Sequence, residues 1–146
     1  MKLFAFYILV SLGLFLYSYT QVDLNLTLSS VSAWQTIQKS FQYIGFFRRD
    51  ISSAMFLFLV TGLTILYVWS VRSAMSEKLF WKIVLAVSAI LLFSYPAFSY
   101  DIYNYMFTAK TVLVYHTNPY AVIPLQFTGV EPWLNFMRWT HLPSAY

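Results

Sequence analysis

Asp101 is the residue of this chain best placed to do chemistry. It is one of five acidic residues, and it follows a long apolar run over 83–98 that breaks at Pro96. Carboxylates are costly near lipid, so one delivered to a membrane boundary is more often functional than incidental. A positioned carboxylate can take a proton from an attacking hydroxyl. It can also do something plainer, because Asp is favoured at the start of a helix, where it caps amides and meets the positive end of the dipole. Asn104, Thr108 and Thr111 follow Asp101 at helical spacing and predict a polar stripe along one face of a helix over 101–114. Ile102, Tyr105, Met106, Ala109, Val112 and Leu113 make up the other, apolar face. Asp23 stands just outside an earlier apolar run and is the second candidate base.

The elements that must position these residues are set by the solvent. Hydrophobic residues make up 60% of the chain and charged residues 10%, against about 25% charged in soluble domains. Mean hydropathy is +0.63. The expected fold class is all-α and integral to a membrane. Uncharged apolar runs predict three transmembrane helices at 3–19, 51–71 and 80–98, each near the length that crosses a hydrocarbon core of about 30 Å. The first run follows Lys2 but is too long for a signal peptide and lacks a small-x-small cleavage pattern, so it is expected to stay as a helix. Gly13 and Gly62 mark places where helices can approach closely. Amphipathic helices lying in the interface are expected near 30–46, 101–114 and 131–140, with Trp34 at headgroup depth and Pro132 in a first turn.

Composition also excludes. The net charge of +4 fits anionic headgroups, and no basic cluster interleaved with aromatics offers a nucleic-acid groove. Zero cysteines remove disulfides, thiolate metal sites and a Cys nucleophile. His116 and His141 without a close carboxylate partner make no metal site. The pattern requires no cofactor and leaves a divalent metal open. The short basic loop 72–82 suits the cytoplasmic side. Segments 20–50 and 101–146 are then expected on the other side of the cell membrane.

From Asp101 onward the chain resembles a family. Asp101-Ile102-Tyr103-Asn104-Tyr105, then Asn118-Pro119-Tyr120, then His141-Leu142-Pro143-Ser144-Ala145-Tyr146 is similar in order and spacing to bacterial GT-C-fold glycosyltransferases. The nearest pattern is that of the polyprenyl-phosphate-sugar-dependent, mannosyltransferase-like enzymes. The resemblance covers about the last third of the chain. The chain departs from the pattern where Tyr100 stands in place of a second acidic residue and where His116 or Thr117 stands in place of glycine, while the basic position is kept as Lys110.

The resemblance implies that 1–146 is a single membrane domain, the N-terminal part of a larger polytopic enzyme and inactive alone. That enzyme would move a sugar such as mannose from a polyprenyl-phosphate donor to an envelope glycan or lipid acceptor, inverting the anomeric centre. Asp101, or failing it Asp23, would be the base. Lys110, Arg138 and His141 would meet the leaving phosphate. Tyr103, Tyr105 and Tyr120 would stack on the sugar or bond its hydroxyls, and Asn104 and Asn118 would help to hold it. Two other classes stay open. A polytopic transporter or flippase fragment predicts an ionisable residue at mid-membrane, and a noncatalytic protein that docks a partner through its interfacial helices predicts that Asp101 tolerates Asn.

Overall fold

The computed structural model describes residues 2–144. Helices and turns are the regular elements, and no strand occurs among the described residues. The α-helices are α1 (Lys2–Ser18), α2 (Ser32–Phe47), α3 (Arg49–Arg72), α4 (Glu77–Leu91) and α5 (Asp101–Leu113). Short 3₁₀ turns lie at Tyr19–Gln21, Pro124–Phe127 and Pro132–Phe136. The chain divides into two compact units, Met1–Ala97 and Phe98–Tyr146.

In the first unit, two helices rather than three have the length and composition to cross a membrane: Lys2–Gln21, 20 residues, and Arg49–Arg72, 24 residues. They run antiparallel. Tyr7 Oη lies 2.8 Å from Ser70 Oγ near one end, and Tyr17 Oη lies 3.3 Å from Ser52 Oγ near the other. Only 22% and 17% of their apolar windows are buried. The core helix of a soluble fold hides its apolar stripe. These helices leave Leu9, Phe58 and Ile65 exposed, as lipid-facing surfaces do.

The third expected span, 80–98, is not a helix of that length. α4 starts earlier, at Glu77, with Ser76 Oγ accepting the Leu79 N–H at 3.4 Å. It stops at Leu91, so its 15 residues give about 22 Å of helix. Pro96 explains the stop. Its ring excludes the carbonyl four residues back, at Leu92, and it pushes Tyr95 out of the helical region. α4 still runs alongside α1 in the same direction. Leu3 near the start of α1 packs with Ile83 and Leu66. Beyond Leu91 a turn at Leu92–Phe93 and the irregular chain after it meet the far end of α1: Tyr19 Oη donates to the Phe93 carbonyl at 2.8 Å, and the Tyr95 N–H donates to Ser18 Oγ at 3.0 Å.

α2 matches the expected helix at 30–46, but its buried face is polar. Gln38 Nε2 donates to the Leu26 carbonyl at 2.6 Å, and Gln38 Oε1 accepts the Leu28 N–H at 3.1 Å. Gln42 Nε2 donates to the Asp23 carbonyl at 2.8 Å. The irregular loop before α2 thus finds its backbone partners in two buried glutamines. Ile37, Tyr43 and Phe47 of the same helix stay exposed.

Gly13 and Gly62 face the α1–α3 contact as expected, but the tightest approach is at Gly45. A Cβ at Gly45 would sit 1.7 Å from the Thr20 carbonyl oxygen. At Gly13 it would meet only the end of the Leu59 side chain, at 2.9 Å, and at Gly62 it would make ordinary contact with Val10 at 3.7 Å.

In the second unit α5 forms as expected, but the helix expected over 131–140 is only the 3₁₀ turn Pro132–Phe136. The Met137 N–H closes that turn on the Leu134 carbonyl at 3.3 Å, and Met137 itself is extended at φ −82, ψ 145. At its other end α5 stops where His116 takes φ 50, a left-handed conformation that glycine adopts freely and other residues at a cost.

Three substitutions follow from these geometries. Gly45→Ala should cost at least about 1–3 kcal/mol through overpacking, and Gly62→Ala should be near neutral; equilibrium unfolding in detergent micelles measures both. His116→Gly should raise stability by about 0.5–1 kcal/mol, the left-handed strain relieved less the extra freedom of the unfolded chain.

Candidate functional site

The second unit is built on three edges of α5. The first is aromatic. Tyr103 and Phe107 are buried with Met137. The Tyr103 ring lies 5.7 Å from Trp133 and 5.3 Å from Phe136, and Phe107 meets Phe127 edge-on at 5.3 Å. This is not the expected apolar face: Ile102, Tyr105, Met106, Val112 and Leu113 are exposed. Periodicity finds an apolar stripe but does not tell which of two stripes the next segment covers, and the bulkier rings take the interior here.

The second edge is ionic. The Glu131 side chain is fully buried, and the ammonium of Lys110, whose side chain is one-third exposed, donates to its Oε2. Tyr115 Oη donates to the same oxygen at 2.9 Å, and the Trp133 N–H donates to Oε1 at 3.1 Å. Burial by itself raises the Glu131 carboxyl. The hydrogen bonds from Lys110, Trp133 and Tyr115, with the Lys110 charge, outweigh it and hold the carboxyl below its ordinary value. The Tyr115 hydroxyl is raised, first by donating to Glu131 and then by burial.

The third edge is polar. Asp101, Asn104, Thr108 and Thr111 line one cavity of about 330 Å³. The predicted stripe therefore shares a single concave surface. Its far wall includes Pro119, Trp139, Pro143 and Ser144. That wall is tied together by the Ser144 N–H donating to the Pro119 carbonyl at 2.9 Å and the Leu125 N–H donating to the Thr140 carbonyl at 3.1 Å. Thr108 Oγ1 reaches Ser144 Oγ at 3.3 Å. The segments carrying Asp101, Pro119 and Pro143, separate in sequence, meet at this cavity; Tyr146 lies outside the described residues.

Asp101 does not cap α5 with its side chain. Its own N–H donates to Ser99 Oγ at 3.1 Å, and Tyr100, at the N-cap, makes no side-chain cap bond. Among the described residues, no hydrogen bond or ion pair engages the Asp101 carboxylate. One turn along, Asn104 Oδ1 is buried without a partner among those residues.

The remaining predicted site residues are placed as follows. Tyr105 lines the cavity and is half exposed. Tyr103 is in the aromatic core, so its ring face is not available to stack on a sugar. Lys110 is engaged with Glu131 and does not line the cavity. Asn118 shapes a turn, its Oδ1 accepting the Tyr120 N–H at 2.9 Å. Tyr120 itself is exposed and outside the lining. The Arg138 guanidinium lies 5.0 Å over the Tyr100 ring. His141 is exposed, its ring 6.4 Å from that of Trp139. Asp23, in the first unit, accepts the Asn25 N–H on Oδ1 at 2.9 Å and so makes a local turn.

Sequence reasoning did not find the roles of Glu131, Trp139 and Ser144. Glu131 lies 21 residues from Lys110, and no local pattern reports that pairing. Among the described residues no group of three or more His, Cys, Asp or Glu side chains is placed to hold a metal ion. In comparison with protein families, curated proteins and solved structures, nothing matches the chain.

The ionic edge predicts a pH dependence. A carboxyl held below its ordinary value stabilises the fold above that value, and the contribution disappears as pH falls through the folded one. Acid below about pH 4 should therefore loosen the second unit. Glu131→Gln should remove that part of the acid sensitivity and cost about 1–3 kcal/mol at neutral pH. Tryptophan fluorescence during unfolding at several pH values, parent against variant, measures both.

Proposed function

We propose that this chain is part of a membrane-embedded glycosyltransferase of the GT-C type, using a polyprenyl-phosphate-linked sugar as donor and Asp101 as general base. The observation that carries the proposal is the unengaged Asp101 carboxylate on the wall of a cavity where three separate segments meet. Those segments are the ones that resemble the glycosyltransferase pattern. His116 adds support: it takes φ 50 in the stretch where that pattern has glycine, a residue suited to such a backbone.

The chemistry asks little of the chain beyond position. An acceptor hydroxyl in the cavity attacks the anomeric carbon. Its oxygen forms the new C–O bond while the bond from that carbon to the phosphate oxygen breaks. The proton passes to Asp101, and the leaving lipid phosphate keeps the electron pair. A single displacement inverts the centre. The polar stripe of Asn104 and Thr108 orients the acceptor. The donor needs a lipid phase for its chain, and helices as apolar and as exposed as α1 and α3 suit one.

The topology that accompanies this proposal has three crossings, with Asp101 on the non-cytoplasmic side of the cell membrane. α4 contributes the third crossing together with the turn and irregular chain that follow it. Support comes from Phe93 and Tyr95, which pair with the end of α1 at Tyr19 and Ser18.

Asp101→Asn keeps the shape of the residue and removes the base. In the full-length enzyme, with a labelled lipid-linked sugar, it should lower the transfer rate by about 10²–10⁴-fold with unfolding unchanged. Asp23→Asn should lose no more than a local turn and retain turnover. Transfer at the parent rate by a folded Asp101→Asn protein would sink the assignment, and loss of turnover in Asp23→Asn alone would move the base there.

A further inference from the structure

The cavity beside α5 is more specific than a general substrate cleft. At about 330 Å³ it stands at the small end of ligand pockets, the size of one ring with its substituents. Its polar groups are a carboxylate, a carboxamide and hydroxyls, from Asp101, Asn104, Tyr105, Thr108, Thr111 and Ser144, with Trp139 as an aromatic wall. No Lys, Arg or His is among the residues that line it. Phosphate is ordinarily held by cations or by nests of backbone N–H groups. The nearby cations face elsewhere: Lys110 onto Glu131, and Arg138 over the Tyr100 ring. An anion in this cavity would meet the charge of Asp101.

Asn104 gives the positive half of the case. Its Oδ1 is buried and has no partner among the described residues. Burying such a group unpaired is unfavourable, so it is fit for a ligand to satisfy. The two ends of a carboxamide can be exchanged without changing its shape. A hydroxyl, which both donates and accepts, pairs with either end; a phosphate oxygen only accepts.

We propose that this cavity is a subsite for a neutral, polyhydroxylated ring, with Asn104 as the residue that recognises one of its hydroxyls. Under the glycosyltransferase reading, on which the word acceptor rests, it is the acceptor sugar's subsite, and the donor's phosphate binds outside it.

The test uses the full chain in lipid nanodiscs and saturation-transfer NMR, with methyl hexosides as neutral probes and hexose 1-phosphate and inorganic phosphate as anionic ones. The hexoside should bind better than either phosphate. Asn104→Ala should weaken hexoside binding by about tenfold while leaving the unfolding temperature equal or higher, which a merely structural Asn would not do. Thr108→Val, which keeps the side-chain shape, should weaken binding about threefold and serves if the Asn104 variant misfolds. Stronger binding of the phosphates, or hexoside binding unchanged in both variants, overturns the subsite. Hexoside binding that depends on Asn104, together with full transfer activity in Asp101→Asn, supports the subsite and overturns the base.

Discussion

A carboxylate with no access to water governs the arrangement of the second unit. Glu131 is enclosed and ionised, so it must collect donors, and it takes them from three places: Lys110 on α5, Tyr115 in the turn after α5, and the amide of Trp133 in its own 3₁₀ turn. Such a cluster is not chiefly a source of stability, since desolvation offsets most of the attraction in a buried pair. Its effect is selective: any placement of the segment that separated Glu131 from Lys110 would strand a charge. Once 131–133 is pinned, Met137 falls against Tyr103 and Phe107. The chain from Trp139 to Ser144 then closes over the polar edge of α5.

The first unit follows a different rule. Its interior mixes Leu3, Leu59, Leu66 and Ile83 with Ser11, Thr20, Gln38, Gln42 and Ser52, while Leu9, Phe58 and Leu85 lie outside. A fold in water leaves less large apolar surface uncovered. In lipid there is little hydrophobic drive for helices to associate, and hydroxyl and amide contacts with close backbone packing do more of the work. The Tyr7–Ser70 and Tyr17–Ser52 contacts, the two glutamines that hold the loop before α2, and Gly45 against Thr20 are contacts of that kind.

Charge placement isolates Asp101. Of the five acidic residues, Asp23 accepts an amide in a turn, Asp50 pairs with Arg48 at 3.3 Å, Glu77 stands in the first turn of α4, and Glu131 is enclosed by donors. Each of these has a structural use that offsets its charge. Asp101 sits on a cavity wall with its carboxylate unengaged among the described residues, in line with Asn104 and Thr108. A base needs that condition, because a carboxylate already satisfied by amides or cations holds its proton less readily.

What depends on short-range periodicity and composition was legible in the sequence: helices throughout, two of the three apolar runs read as spans, α2 and α5 to within a few residues, and the polar stripe of Asp101, Asn104, Thr108 and Thr111. The sequence carried less where a local rule had a competitor: Pro96 shortened α4 well before the apolar run ended, and the Trp133–Met137 stretch made a tight turn anchored by Glu131 in place of an amphipathic helix. Only folding set which stripe of α5 was buried, that Tyr103 belonged to a core and Lys110 to an ion pair, that Gly45 made the tightest glycine contact, and that Pro119 and Ser144 faced Asp101 across one cavity. Those outcomes turn on contacts between residues far apart in the chain. Their partners are chosen by shape and by the need to satisfy buried polar groups, and neither leaves a mark at fixed spacing along the sequence.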